Sequence, residues 1–423
     1  MISGPMPSPG ISVIVCFINS EDRMFPLQSF YGLQTIFQKG QIALTMITDV
    51  LIVGGGVIGL SIARELHRRG IRKITIVEKG RCGLEASWAA AGMLAPNSET
   101  EVVDDFYRLC NESNSMYPGF ANCLMGETGI DIELDQNGTL FLGFTEEDEI
   151  KLAARIQDQR KAGIDAIELE RQEVFEFEPF LSPNVRGGIF YPSDGHVENR
   201  KLLAALCVFA KSNGIDIVEN ISVDSIKIEK GRVVAVSSSE EPFAADVVVL
   251  ATGAWTSFIK LGPDLCRLPL KPIRGQMQCY PSGEINVHHV VYSPRGYVVP
   301  RRDGRILTGA TIGDVGFNKL VDPLESVMLK RAATEIIPAL SPLTPSGEWA
   351  GLRPFAPDGL PVIGKIEGLD GLFVASGHYR NGILLAPITA KLMVEIILDG
   401  SNQVFNGAFS PSRFWSKQNV TIN

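Results

Sequence analysis

Three glycines, Gly54, Gly56 and Gly59, stand at the spacing G-x-G-x-x-G, and a carboxylate, Glu78, follows about twenty residues later. Residues of these types at this spacing can bind a dinucleotide. Gly54 permits a tight turn, Gly56 lets backbone approach a pyrophosphate, and Gly59 lets the next helix lie close on a strand. The helix would turn its first N–H groups and positive dipole end towards the phosphates. Glu78 would accept hydrogen bonds from a ribose 2′-hydroxyl and repel a 2′-phosphate. Glycine turns also occur for purely structural reasons, and Glu78 could be a solvated loop carboxylate. The elements around them decide.

Those elements have the pattern required. Residues 49–53 (DVLIV) form an apolar, β-rich run ahead of the glycines, residues 57–69 read as a helix closed by Gly70, and residues 73–77 (KITIV) read as a second buried strand ending at Glu78. Next comes CGLEASWAAAGMLAP, in which Ala86, Ser87, Ala89, Ala90, Ala91 and Gly92 are all small. Such a segment is either a tightly packed helix or backbone lying against a flat ligand. Its place directly after Glu78 suits the ribityl chain and flavin ring of a bound FAD. Further on, DVVVLATGAW places Val247 to Ala251 before a Thr252-Gly253 turn, which reads as a central parallel strand whose end again approaches a ligand.

The whole chain bounds these readings. With 423 residues it suits two domains, and 45% hydrophobic with 21% charged residues is the composition of a globular protein. A formal charge of -9 argues against a nucleic-acid partner. No apolar run reaches the roughly 18–20 residues of a membrane helix. The seven cysteines, Cys16, Cys82, Cys110, Cys123, Cys207, Cys266 and Cys279, lack C-x-x-C spacing, which points to reduced thiols in a cytoplasmic protein without a metal site. Residues 1–45, rich in Pro, Ser and Gly and without a basic n-region, read as a disordered extension or an over-long start assignment and not as a targeting segment.

Beyond residue 105 the alternation of parallel strand and helix lapses. Residues 106–127 read as a helix, 131–144 as a hairpin turning at Asn137-Gly138, 146–163 as an exposed helix and 198–214 as another. Short strands are expected at 215–218, 221–229 and 233–237. Strands over 268–280, 287–300 and 305–309, with a turn at Asp303-Gly304, build an antiparallel sheet carrying Tyr297. The expected fold is an α/β FAD-binding domain of Rossmann-like, glutathione-reductase type plus an α+β substrate domain with a mostly antiparallel sheet. The first would take residues 46–130, 196–267 and 352–405, the second 131–195 and 268–351, with a tail at 406–423. Near the end, SGHYRNGILLAPITAKLMVEII reads as a glycine turn entering an apolar helix at Asn381-Gly382, whose dipole could stabilise a reduced flavin. Arg353 could be a surface ion-pairing residue or, facing a cavity, a bidentate clamp for a carboxylate.

Taken together, VLIVGGGVIG, VEKG, ASWAAAGMLAP, GYVVPRRDGRILTGAT, WAGLRPFAPDGLPVIG and SGHYRNGILLAP resemble the D-amino-acid oxidase superfamily of FAD-dependent oxidoreductases, and within it the glycine oxidases of thiamine biosynthesis. The resemblance runs from about residue 47 to 400. It implies non-covalent FAD, since SGHYRNG lacks a cysteine. It implies that Val57 and Ile58 meet the pyrophosphate, Glu78 and Lys79 the ribose, Ala86 and Ser87 the phosphates, and Ala91, Gly92 and Met93 the flavin. Val223 and Gly253 would complete the cofactor contacts, with His378, Tyr379, Arg380, Asn381, Gly382, Ile383 and Leu384 under the isoalloxazine. Arg353 is similar to the family's substrate-carboxylate arginine, with Tyr297, Met93 and Arg380 beside the substrate. Where the family has a methionine after G-A-T, this chain has Ile312.

The activity so implied is oxidative deamination of glycine or another small amino acid, with dioxygen as acceptor, ammonia and hydrogen peroxide as products, and a glycine imine supplied for the thiazole of thiamine. No side-chain acid or base is required, and a homo-oligomer is expected. The alternatives are a D-amino-acid dehydrogenase passing electrons to a quinone, and a non-catalytic FAD-binding subunit.

Overall fold

The computed structural model describes residues 33–38, 41–100, 102–240, 242–261, 267–281, 283–400 and 407–414. Most of the extension read over residues 1–45 lies outside them. Within its last part, Leu33–Gln38 pairs antiparallel with Gln41–Val53, so the first strand starts upstream of Asp49.

Two large sheets organise the described residues. In the ten-stranded sheet, Asp216–Glu219, Ile74–Glu78, Gln41–Val53, Phe243–Leu250 and Leu372–Ser376 lie side by side and parallel. Both faces of this parallel core are covered, which is why its strands are continuous apolar runs. Leu51, Ile52, Val248 and Val249 have no exposed surface. One face carries the helices Val57–Arg68, Asn199–Ser212 and Ala386–Asp399, whose buried stripes share a cluster with Ile52, Ile76 and Val249. The other face meets the antiparallel strands Val223–Glu229 and Arg232–Ser238. All five parallel strands end at the same edge of the sheet, where ligands bind in open α/β folds.

The eight-stranded sheet runs Gly347–Phe355, Lys271–Pro281, Arg305–Gly309, Gly296–Pro300, Val290–Ser293, Thr139–Gly143, Gly187–Tyr191 and Ile167–Glu170. Its pairs are antiparallel except for Val290–Ser293 with Thr139–Gly143. The α/β plus α+β fold class expected from sequence is the one observed. Gly347–Phe355 pairs with Lys271–Pro281 along its whole length, so Arg353 belongs to this second sheet, although the strand crosses the boundary expected at residue 352.

Two local readings need correction. Residues 131–144 do not form a hairpin: only Thr139–Gly143 is a strand, and Asp135 instead bridges His196 while the Gly138 N–H reaches the Asp194 carbonyl. The Asn-Gly pair turns the chain towards a segment far away in sequence. The last long helix begins at Ala386, not at Asn381-Gly382. Residues 382–385 form turns ahead of it, and Pro387 occupies the first helical turn, where its missing N–H costs nothing.

Candidate active site

The glycine turn at the carboxyl edge of Gln41–Val53 is built by contacts that exclude side chains. Gly54 has φ +112°, and a Cβ on it would stand 2.3 Å from the Ala251 carbonyl oxygen of the neighbouring strand end. At Gly59 a Cβ would stand 2.0 Å from the Gly54 oxygen, so the helix can approach only without one. Gly56 is less constrained, its nearest neighbour being the Ser87 hydroxyl at 3.4 Å from such a Cβ. That hydroxyl accepts the Val57 N–H at 3.1 Å and so sits at the helix N-terminus. Glu78 is almost fully buried, and its two carboxylate oxygens accept the N–H groups of Gly55 and Gly80 at 2.8 and 2.9 Å. Each oxygen keeps a further lone pair for a ribose hydroxyl.

From this turn a cavity of about 580 Å³ runs between the two sheets. That size is ordinary for a ligand site. One end is lined by Val223, Glu78, Lys79, Gly253 and Trp255, and the middle by Gly54, Gly56, Val57, Ile58, Ala86 and Ser87. The other end is lined by Ala91, Gly92, Met93, Tyr297, Arg353 and the run from His378 to Ile383. Two residues singled out from sequence lie behind the wall instead. Gly59 packs beneath the turn, and Leu384 is buried in the helical core.

Lys79 places its ammonium 3.1 Å from the centre of the Trp255 ring and 3.8 Å from Glu85. Burial lowers its pKa. Loop residue Phe317 of the second domain packs on Trp255 and Phe258, and Lys319 pairs with Glu85 at 2.9 Å, so a strap crosses this end of the cavity. Ile312, two-thirds exposed, lies at its start and lines the cavity.

The small-residue segment is held by side chains from the second domain. Trp349 donates to the Ala89 carbonyl at 3.0 Å, and buried Arg301 donates to the Ala91 carbonyl at 2.6 Å and the Val197 carbonyl at 3.1 Å. A Cβ on Gly92 would stand 2.1 Å from the Val197 oxygen, and its φ is +74°. The opposite wall, around His378, hangs from the strand Gly347–Phe355 through a bridge to Phe355 and a 2.9 Å bond from the Tyr379 N–H to the Pro354 carbonyl. His378 is buried, bonds Thr389 at 3.0 Å, and burial pushes its pKa down to about 3, so its ring is neutral.

At this end the two arginines differ. The Arg353 guanidinium touches only carbonyl oxygens, those of Thr311 at 3.1 Å and Arg274 at 3.4 Å, and has no carboxylate partner among the described residues. Most of its five donors remain for a ligand. Space for it comes from Gly275, directly across the ladder from Gly351: a Cβ there would stand 2.1 Å from Nη2. Arg380, by contrast, bonds Glu99 at 3.1 Å and the Tyr292 hydroxyl at 2.7 Å, and Glu99 raises its pKa. Tyr297 points its hydroxyl at the Met277 sulfur, 2.9 Å away, and stacks on Tyr292, which stacks on Phe141. Burial raises the Tyr297 pKa against the lowering pull of Arg353 and Arg380, so the phenol keeps its proton.

Sequence reading missed Glu99, Tyr292, Met277 and Gly275. Only Gly275 carried a signal, since a glycine inside a strand marks a close approach.

Comparison with known proteins identifies relatives of this chain. The chain is 36% identical over 380 residues to a bifunctional ThiO/ThiG protein of Synechocystis sp., covering 89% of this chain but 55% of that protein, so it spans little more than half of that relative. It is 35% identical over 352 residues to a glycine oxidase of Pseudomonas aeruginosa, covering 82% of this chain and 94% of that enzyme. The crystal structure of glycine oxidase from Geobacillus kaustophilus superposes with a TM-score of 0.81 at 35% identity, covering 87% of this chain and 99% of that one. The model of the DAO family, FAD dependent oxidoreductase, matches residues 49–396, and the chain belongs to that family.

Proposed function

We propose that this chain oxidises glycine and other small amino acids to the imine, with dioxygen as acceptor and hydrogen peroxide and, after hydrolysis, ammonia as further products. The cofactor is FAD, and the cavity fits it. The turn at Gly54 leaves no side chain in the path of a pyrophosphate, the Val57–Arg68 N-terminus supplies N–H donors, and Glu78 is held for a ribose. Among the described residues no cysteine lines the cavity, which supports non-covalent attachment. Bound in this cavity, FAD would supply the acceptor for the α-hydrogen with its electron pair and the route of those electrons to dioxygen.

The observation that carries the substrate class is Arg353. A guanidinium without an acidic partner among the described residues, facing the cavity, is suited to a carboxylate held by two parallel hydrogen bonds. Tyr297, whose hydroxyl has only the weak sulfur acceptor, can turn its proton to the same carboxylate. Met93 and Ala91 give the cavity an apolar wall at this end. The side chains therefore orient the substrate and exclude water, and no acid or base needs to act at the α-carbon. Likeness to glycine oxidases and to bifunctional ThiO/ThiG proteins supports a role in supplying the glycine imine for the thiazole of thiamine.

No helix among the described residues is long and apolar enough to cross a membrane. The five described cysteines are free thiols, which supports a reducing compartment, the cytoplasm. Exposed Leu324, Val327 and Met328 on the helix Pro323–Ile336 support self-association into a homo-oligomer. Peroxide release on adding glycine, sarcosine or D-alanine to the FAD-loaded protein tests the proposal. No oxygen uptake with any of the three would sink it.

A further inference from the structure

The contrast between Arg353 and Arg380 has a third member. Glu99 lines the same cavity, and its carboxylate lies 3.1 Å from Arg380 Nη2. Its position is fixed by buried polar contacts on both sides. The N–H groups of Asn97 and Ser98 donate to Asp194 at 3.1 and 2.9 Å, and one nitrogen of Arg155 donates to the carbonyls of Ser98 and Thr100 at 2.7 and 2.8 Å. The Glu99 N–H itself reaches the Ala95 carbonyl at 3.2 Å. A carboxylate carried on backbone so tightly tied is not a solvated side chain that pairs by chance.

From this geometry we infer that Glu99 is a specificity-determining residue: by neutralising Arg380 it leaves Arg353, among the described residues, as the one uncompensated cation at the substrate end, so that amino acids with a single carboxylate are accepted and those with a second carboxylate are rejected. Both arginines face the same space. Without Glu99 the site would present two cations, a match for a dicarboxylate. With it, a second carboxylate meets a fixed like charge, and like charges held close in a shielded site cost heavily. Tyr292 completes the arrangement by accepting from the same Arg380 nitrogen, Nη2, at 2.7 Å, its own ring wedged between Phe141 and Tyr297. The inference rests on the oxidase reading for its substrates, but its charge balance can be measured by binding alone.

The test uses the FAD-loaded protein and titrates acetate and malonate by calorimetry. Glu99→Gln should raise the malonate-to-acetate affinity ratio about tenfold or more, and Arg380→Leu, which strips Glu99 of its partner, should lower it by a similar factor. The same Glu99→Gln protein should gain about tenfold in kcat/KM for iminodiacetate relative to glycine. A ratio that moves less than about threefold in either variant, or that moves in the same direction in both, overturns the inference. Should Glu99→Gln fail to hold flavin, Arg380→Leu alone decides by its sign. If the parent protein oxidises no amino acid, the oxidase reading fails, while the affinity ratios still judge Glu99.

Discussion

The two ends of the cavity are built in opposite ways. The nucleotide end is made by backbone: Gly54 and Gly59 take positions where a Cβ would stand 2.3 and 2.0 Å from a carbonyl oxygen, and Glu78 works by holding N–H groups. The substrate end is made by long side chains, Arg353, Arg380, Tyr297 and Glu99, arriving from separate strands and loops. Close approach of backbone tolerates almost no substitution. Charged side chains can be retuned one at a time, and specificity resides with them.

Substitutions at the two ends should therefore fail differently. The largest effect is expected for Gly59→Val, which drives a side chain into the Gly54 carbonyl. The protein should purify without flavin or not fold, read from its visible absorbance; normal flavin content would break the contrast. Arg353→Ala should keep flavin and lose about a thousandfold in kcat/KM for glycine, since two charge-assisted hydrogen bonds at roughly 1.5–3 kcal/mol each are removed. Gly275→Ala should act on the same arginine without touching it. Its methyl group falls on the Arg353 guanidinium, so kcat/KM should drop about tenfold to a hundredfold with flavin content intact. Tyr297→Phe should cost about tenfold, the loss of one hydrogen bond from a neutral donor to the substrate carboxylate.

The smallest effect concerns pH. Burial lowers the His378 pKa from 6.5 to about 3, so the unfolded chain binds a proton there before the folded one does. Stability from this site is complete above about pH 6.5 and is lost as pH falls towards 3. His196, also lowered to about 3, acts in the same sense. The melting temperature should drop between pH 7.5 and pH 5, and His378→Gln should shallow that slope without abolishing it. An unchanged slope would show that His378 titrates normally.

The same contrast explains what the sequence revealed. The cradle of Gly54 to Glu78 is a local unit, one strand, turn, helix and strand in succession, and its spacing could be read directly. Arg353 and Tyr297 could be placed near the substrate only through resemblance, because their meeting depends on the pairing order of the eight-stranded sheet. Glu99 was illegible for a sharper reason. Its loop is fixed by Asp194, nearly a hundred residues later, and no short-range pattern encodes that contact. The Asn137-Gly138 pair misled for a related cause: the turn chemistry is genuine, but the strand that receives it is not the neighbouring one. The helix Pro323–Ile336 did carry a start signal, Asp322 capping and Pro323 at the first position, and went unread amid strands.

The central claim, that this cavity orients a small amino acid for oxidation by FAD through Arg353, is tested most directly by mixing the flavin-loaded protein anaerobically with glycine and following the flavin absorbance. Bleaching by glycine, lost or slowed about a thousandfold in Arg353→Ala, is the predicted result. A flavin that stays oxidised with glycine, sarcosine and D-alanine, or one that bleaches equally fast without Arg353, would contradict the account.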